Sequence, residues 1–316
     1  MPTPTLPETF ADAFTVPSTG GLDIAVYRVL NRPDGGKEPA PALIWAHANG
    51  FNAGCYLPLL RRLSDHFHVF AYDARGHGAS SRPLDDLERD YAMVRFAEDL
   101  SAIAARVRWM IGDGVPLHFA SHSLGGLAAV LLEAELDEAP FDSLTLFEPP
   151  IYPPVGHVER AAALVHSPIF VRWAAGRQGR FPDREALRDE VQNIITYRRF
   201  SDEMMAAYLD AAVEPDEDSE SGLVLRCPGR IEAAIYDNCP DSGIFELTAK
   251  VATRTRLFAT DQEVLPELHS WAPETMKSIA KNMVRAEART MPGCLHLMVQ
   301  ENPDACAAAV IEHALG

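Results

Sequence analysis

Positive charge is scarce in this chain. Its 28 Lys and Arg residues stand against 45 Asp and Glu, a formal charge of −17. Such a surface repels phosphate backbones and anionic lipid, so no nucleic-acid or membrane-surface partner is expected, and polyanionic substrates are mildly disfavoured. Cysteine is sparse too. Cys55, Cys227, Cys239, Cys294 and Cys306 are odd in number and show no C-x-x-C spacing, which points to free thiols in a reducing compartment. No apolar run approaches the ~20 residues that a membrane span needs. The first residues, MPTPTLPETF, lack the basic start and apolar core of a secretory signal, so the expected location is cytoplasmic. There is no H-E-x-x-H, no His/Cys cluster at ligand spacing, and no G-x-G-x-x-G after a strand pattern. Neither a metal nor a cofactor is therefore expected.

What the chain does have is an apolar run, Leu117 to Ala120, followed by Ser121-His122-Ser123-Leu124-Gly125-Gly126 and then by helix formers from Leu127 to Leu136. This reads as strand, sharp turn and helix, with the hydroxyl of Ser123 at the apex. A strained turn of this kind brings the residues two before and two after the apex together, so both must be small. Ser121 and Gly125 meet that demand. The same turn aims the first N–H groups of the helix at whatever the hydroxyl attacks.

Around this stretch, strand and helix patterns alternate. Residues 13–19 and 22–29 read as a hairpin through Thr19-Gly20-Gly21, and 31–41 as a turn-rich connection. A continuous apolar run at 42–46 reads as a strand buried on both faces, and 68–72, 143–147 and 255–259 also read as strands. Helices are expected over 57–63, 91–110, 273–285 and 303–315. Alternation of this kind implies right-handed crossovers and a mainly parallel sheet with its chemistry at the strand carboxyl ends. From Ile151 to about Phe245 the pattern becomes helical (158–173, 183–197, 202–213) without buried strands. It is interrupted by the acidic run 214–220, which reads as a solvated loop. The expected organisation is a core of residues 1–150 and 246–316 with an inserted helical cap, 151–245. Most cap aromatics and methionines, among them Phe170, Trp173, Phe181, Tyr197, Phe200, Met204, Met205 and Tyr208, would form cap core, and a few would wall an apolar pocket.

HANGF after the third strand, DARGHGAS after the fourth, SHSLGG after the fifth, a carboxylate after a later strand and GCLHLMVQENPD near the end stand in one order along the chain. In these pieces the sequence resembles the α/β-hydrolase fold superfamily over nearly its whole length, specifically esterase- and lipase-like serine hydrolases with a helical cap. The resemblance implies a mainly parallel eight-stranded sheet flanked by helices.

It also implies roles. Ser123 would be the nucleophile and needs a base to take its proton. His296, between a strand and the last helix, matches the family's base, while His47 and His77 would brace loops and His122 would pack. The third member is a carboxylate. Asp261, after the strand TRLFA, stands in the family's commonest place; Glu148, after SLTLF, stands in the alternative one, and Glu263 lies further along. The resemblance favours Asp261. Leu124 and Asn49 would supply the backbone N–H donors of the oxyanion hole, with Phe51 as another option, although Ala48 stands where the family has Gly. Phe51, Trp173 and Tyr197 are the expected substrate-binding side chains.

A serine at the apex excludes the alkyl-ester chemistry of dehalogenases and epoxide hydrolases, which need aspartate there. The expected activity is cleavage of a carboxylic ester, lactone or thioester of a small, mainly apolar molecule through an acyl-enzyme. A C–C bond hydrolase or cofactor-free perhydrolase with the same triad, and a ligand receptor with slow turnover, are the alternatives. The chain is compatible with a homodimer.

Overall fold

The computed structural model describes residues 10–29, 40–136, 139–217, 222–240, 243–267 and 269–316. Residues 1–9 and most of the connection 31–41 lie outside the described residues, as does the second half of the acidic run. In chain order the strands are β1 (Phe10–Pro17), β2 (Asp23–Val29), β3 (Ala42–Ala46), β4 (His68–Tyr72), β5 (Leu117–His122) and β6 (Ser143–Phe147). Then come β7 (Arg180–Phe181), β8 (Val213–Pro215), β9 (Leu223–Leu225), β10 (Arg254–Ala259) and β11 (Ala286–Thr290). Eight of them form one sheet in the order β1-β2-β4-β3-β5-β6-β10-β11. β1 and β2 are antiparallel and every pair from β4 to β11 is parallel.

β3, β5 and β6 are buried at every position, as expected for strands covered on both faces. One apolar cluster lies on each side of the sheet. The first includes Trp45, Tyr56 and Phe147, and the second includes Phe119, Leu127 and Leu146. The register decides where the chemistry falls. Ala46 pairs with Ser121, His122 with Phe147, and Phe147 with Phe258. Three loops and the elbow therefore leave the same sheet edge within a residue or two of one another.

The segment between β6 and β10 departs from an all-helical reading. Helices Arg160–Ala175, Arg184–Gln192, Asp202–Ala211 and Gly229–Asn238 are present. Among them lies a three-stranded antiparallel sheet, β7-β9-β8. Its strands are two or three residues long, too short for a period-2 pattern to register. The first half of the acidic run belongs to this sheet and is not simply solvated. Glu214 pairs with Arg82 at 2.8 Å, and buried Asp216 pairs with Arg180. Phe181, Tyr197, Phe200, Met204, Met205 and Tyr208 are buried and belong to the same apolar cluster as Trp45 and Tyr56.

One buried acid belongs to the frame and not to the site. Glu133, on the elbow helix Leu124–Glu135, accepts a hydrogen bond from Thr253 Oγ1 through Oε2, while Oε1 has no partner among the described residues. Burial raises its pKa from 4.5 to about 7. The protonated form is thus favoured in the fold, so this contribution to stability is whole below pH 4.5 and is lost as pH rises through 7. The loss amounts to roughly 3 kcal/mol. Glu133→Gln keeps an acceptor for Thr253 and does not titrate. Urea unfolding should show wild type losing stability relative to Glu133→Gln between pH 5 and pH 8.

Candidate active site

Ser123 sits at the end of β5 with φ 53° and ψ −115°, a backbone conformation that a non-glycine residue adopts only under strain. Its N–H donates to Phe147 O at 2.8 Å, which ties the elbow to β6. The demand for small neighbours is met tightly. A Cβ added at Gly125 would stand 3.0 Å from Ser121 Cβ and 2.4 Å from Ala46 Cβ, and one at Gly126 would stand 2.7 Å from Pro149 Cβ.

His296 Nδ1 lies 2.9 Å from Glu148 Oε1. Glu148 is buried and is itself held in the left-handed region, at φ 46°. Its N–H donates to Phe258 O, and its Oε2 accepts from the backbone N–H of Thr260. The carboxylate is thus fixed on both oxygens, with one aimed at the imidazole. Nε2 is left as the ring nitrogen available toward the cavity that His296 shares with Ser123.

Asp261, the favoured acid on sequence grounds, is engaged elsewhere. Its Oδ2 accepts from Gly293 N–H at 2.8 Å, its Oδ1 from Glu263 N–H at 3.1 Å, and its own N–H donates to Cys294 O at 2.7 Å. Asp261 staples the loop after β10 to the turn that precedes His296. That preference is therefore corrected in geometry: the carboxylate bonded to His296 is Glu148. The physical reason is that the Thr260 N–H and the His296 ring hold the carboxylate of Glu148, while the N–H groups of Gly293 and Glu263 capture that of Asp261.

The loop after β3 is held by histidines that burial keeps neutral. His47, its pKa lowered by burial, donates through Nδ1 to Ala48 O and accepts at Nε2 from Ala74 N–H, both at 2.8 Å. Burial likewise lowers His77, to about 3. Its Nδ1 donates to Arg75 O at 2.9 Å and its Nε2 accepts from Gly50 N–H at 3.1 Å. Both histidines brace loops, as expected from the sequence. Asn49 is buried and donates through Nδ2 to the carbonyl of Glu232 on the helix Gly229–Asn238. The carboxylate of Glu232 lies against Gly50 and pairs with Arg177 at 2.5 Å. Among the described residues, no acceptor is bonded to the backbone N–H of Leu124 or of Asn49.

The cavity beside Ser123 and His296 has a volume of about 280 Å³ and is open to one side. Its walls are largely aromatic and aliphatic. Tyr152 packs against Trp271 with ring centroids 5.3 Å apart, and Phe170 stacks on Tyr236 at 5.5 Å. Phe51, Trp173 and Tyr197 do not line it. Phe51 and Tyr197 stack at 6.1 Å within one buried apolar cluster, and Trp173 lies against Arg177 beside a separate, smaller cleft. His166 and Phe170, spaced i and i+4 on one helix, do line it. That spacing was visible in the sequence; which face of the helix turned inward was not.

A mainly parallel sheet with a strained serine at a strand–helix elbow defines a hydrolase-type fold. A family model for the alpha/beta hydrolase family matches residues 43–309, and the chain belongs to that family. Among curated proteins it is 33% identical over 99 residues to 2-(acetamidomethylene)succinate hydrolase of Mesorhizobium japonicum, a match covering 31% of this chain and 32% of that protein. It is 30% identical over 97 residues to 3-oxoadipate enol-lactonase 1 of Acinetobacter baylyi, covering 31% and 33%. The matched segments thus span about a third of these relatives. Among solved structures, E-2-(acetamidomethylene)succinate hydrolase superposes with a TM-score of 0.75 at 17% identity, covering 96% of this chain and 99% of that one. At that identity the likeness shows the fold.

Among the described residues, no helix is long and apolar enough to cross a membrane, and no group of three or more His, Cys, Asp or Glu could hold a metal ion.

Proposed function

We propose that the protein is a serine hydrolase that cleaves a neutral, mainly apolar carboxylic ester or lactone, with Ser123, His296 and Glu148 as its triad. The observation that carries this is the Glu148–His296 bond, 2.9 Å long, in the cavity that holds the strained Ser123. Glu148 holds Nδ1 as the protonated nitrogen, which leaves Nε2 to take the Ser123 proton during attack and return it to the leaving group. As the imidazolium forms, the buried carboxylate stabilises it. The unbonded N–H groups of Leu124 and Asn49 serve as donors to the tetrahedral oxyanion; one such donor is worth ~3 kcal/mol of transition-state stabilisation. Residues 1–150 and 246–316 act as the catalytic core, and 151–245 as a cap that supplies part of the pocket wall.

The relatives named for a succinate derivative and an oxoadipate lactone suggest acyl transfer on acid-bearing molecules. The cavity suggests a different charge. Among the described residues its lining holds Glu148 and Asp261 and no Arg or Lys; its basic side chains are His166, His269, which pairs with Glu159, and His296, which pairs with Glu148, so a second carboxylate on the substrate would be desolvated without a permanently charged counter-ion. A p-nitrophenyl butyrate assay set against the p-nitrophenyl hemiester of succinic acid tests this. The neutral ester should have a kcat/KM at least about tenfold higher, equivalent to ~1.4 kcal/mol; equal values would refute the charge argument. The triad is tested by a fluorophosphonate probe, which should label wild type and not Ser123→Ala. Wild type left unlabelled would overturn the serine-hydrolase reading.

A further inference from the structure

His122 stands between Ser121 and Ser123, where the sequence suggested only packing. It is fully buried, yet both of its ring nitrogens are bonded. Nε2 lies 2.9 Å from the main-chain O of His296, and Nδ1 lies 2.8 Å from Tyr56 Oη. Tyr56, also fully buried, accepts from the backbone N–H of Ala48 at 3.2 Å.

The directions of these bonds follow from chemistry. A carbonyl only accepts, so His122 carries its proton on Nε2. The bare Nδ1 then accepts from the Tyr56 O–H, and a lone pair of Oη receives the Ala48 N–H. The result is one chain of donors running from Ala48 through Tyr56 into His122, and a second bond from His122 onward to His296. A doubly protonated ring could not accept from Tyr56, so the chain requires neutral His122. Burial, with the His296 ring 5.2 Å away, keeps its pKa well below 6.5.

Three separate segments meet in this chain: the loop after β3, the elbow, and the loop that carries His296. We infer that His122 and Tyr56 are positioning residues, which hold the backbone at Ala48–Asn49 and at His296 in fixed relation to Ser123. The inference deepens the serine-hydrolase reading and rests on it for its catalytic meaning. Neither side chain lines the substrate cavity, so loosening them should slow turnover without weakening substrate binding.

Tyr56→Phe removes one oxygen and breaks two of the three bonds; His122→Phe breaks the chain at its other end. With p-nitrophenyl butyrate, Tyr56→Phe should lower kcat about tenfold while KM stays within about twofold, the size expected for one buried hydrogen-bond step. Hydrogen exchange read by mass spectrometry should quicken in both 47–51 and 294–297, although the second segment lies far from Tyr56 in sequence. His122→Phe should quicken the same two segments. Unchanged kcat and unchanged exchange in Tyr56→Phe overturn the inference, and so does quickened exchange confined to 47–51. If both segments loosen but wild type hydrolyses no ester, the positioning role stands and the ester reading falls.

Discussion

Glu148→Gln should cut kcat/KM on p-nitrophenyl butyrate by about three to four orders of magnitude, while Asp261→Asn should keep activity within about tenfold. The amide introduced by the first change would stay within reach of His296 but would present a neutral group where the imidazolium forms. It could also donate to Nδ1 and favour the wrong tautomer. In serine–histidine–carboxylate enzymes this isosteric change costs about 10⁴ in kcat, and triad members act as a unit. Asp261→Asn, by contrast, leaves an acceptor for Gly293 N–H or Glu263 N–H and only loosens a turn. Steady-state kinetics of the two variants, checked for folding by circular dichroism, decide the matter. A large loss in Asp261→Asn with a small one in Glu148→Gln would reverse the assignment made from the contact between Glu148 and His296.

Arg75→Met should destabilise the protein by about 3–5 kcal/mol, the cost of stranding one partner of a buried ion pair. Arg75 and Asp99 are 2% and 1% exposed and bond bidentately, Nε to Oδ2 and Nη2 to Oδ1, each at 2.7 Å. Arg75 Nη1 donates to Asp90 O, and Ser18 Oγ donates to Asp99. The pair pins the turn after β4 to the helix Met93–Ile111. It also fixes the Arg75 carbonyl that sets the tautomer of His77, and through His77 the N–H of Gly50. Urea unfolding gives the size of the effect. The double variant Arg75→Met/Asp99→Leu should recover much of the loss, because no buried charge is then left alone. If Arg75→Met alone costs under about 1 kcal/mol, the pair does not act as a buried one.

Several parts of this picture were legible in the chain as written. Strand β3 was a continuous apolar run, as burial on both faces in a parallel sheet demands, and β4, β5, β6 and β10 were short, mostly apolar stretches set between helix and turn patterns. The elbow was legible because its sterics act within five residues: Gly125 has no room for a Cβ beside Ser121 and Ala46. His296 could be picked from 11 histidines because its place before the last helix resembles that of the family's base.

Other parts could be decided only by the folded chain. Asp261 and Glu148 both follow strands and either could reach the same loop. What separates them is the hold of Thr260 and His296 on Glu148 and the capture of Asp261 by Gly293 and Glu263, and neither leaves a trace in residue order. The three-stranded sheet β7-β9-β8 was hidden because strands of two or three residues carry no period. Phe51, Trp173 and Tyr197 looked like pocket residues because aromatic character is visible in a sequence, while the direction of an aromatic ring is set by packing. His122 looked like filler beside the nucleophile. Its two bonds join partners 66 and 174 positions away, and only the folded chain, in which the segments after β3 and β11 meet the end of β5, brings them together. Short-range sterics and burial patterns are written locally and determined the fold and the strained elbow at Ser123. The carboxylate that bonds His296, the pocket wall and the bracing of His296 depend on contacts between distant segments, which tertiary structure alone decides.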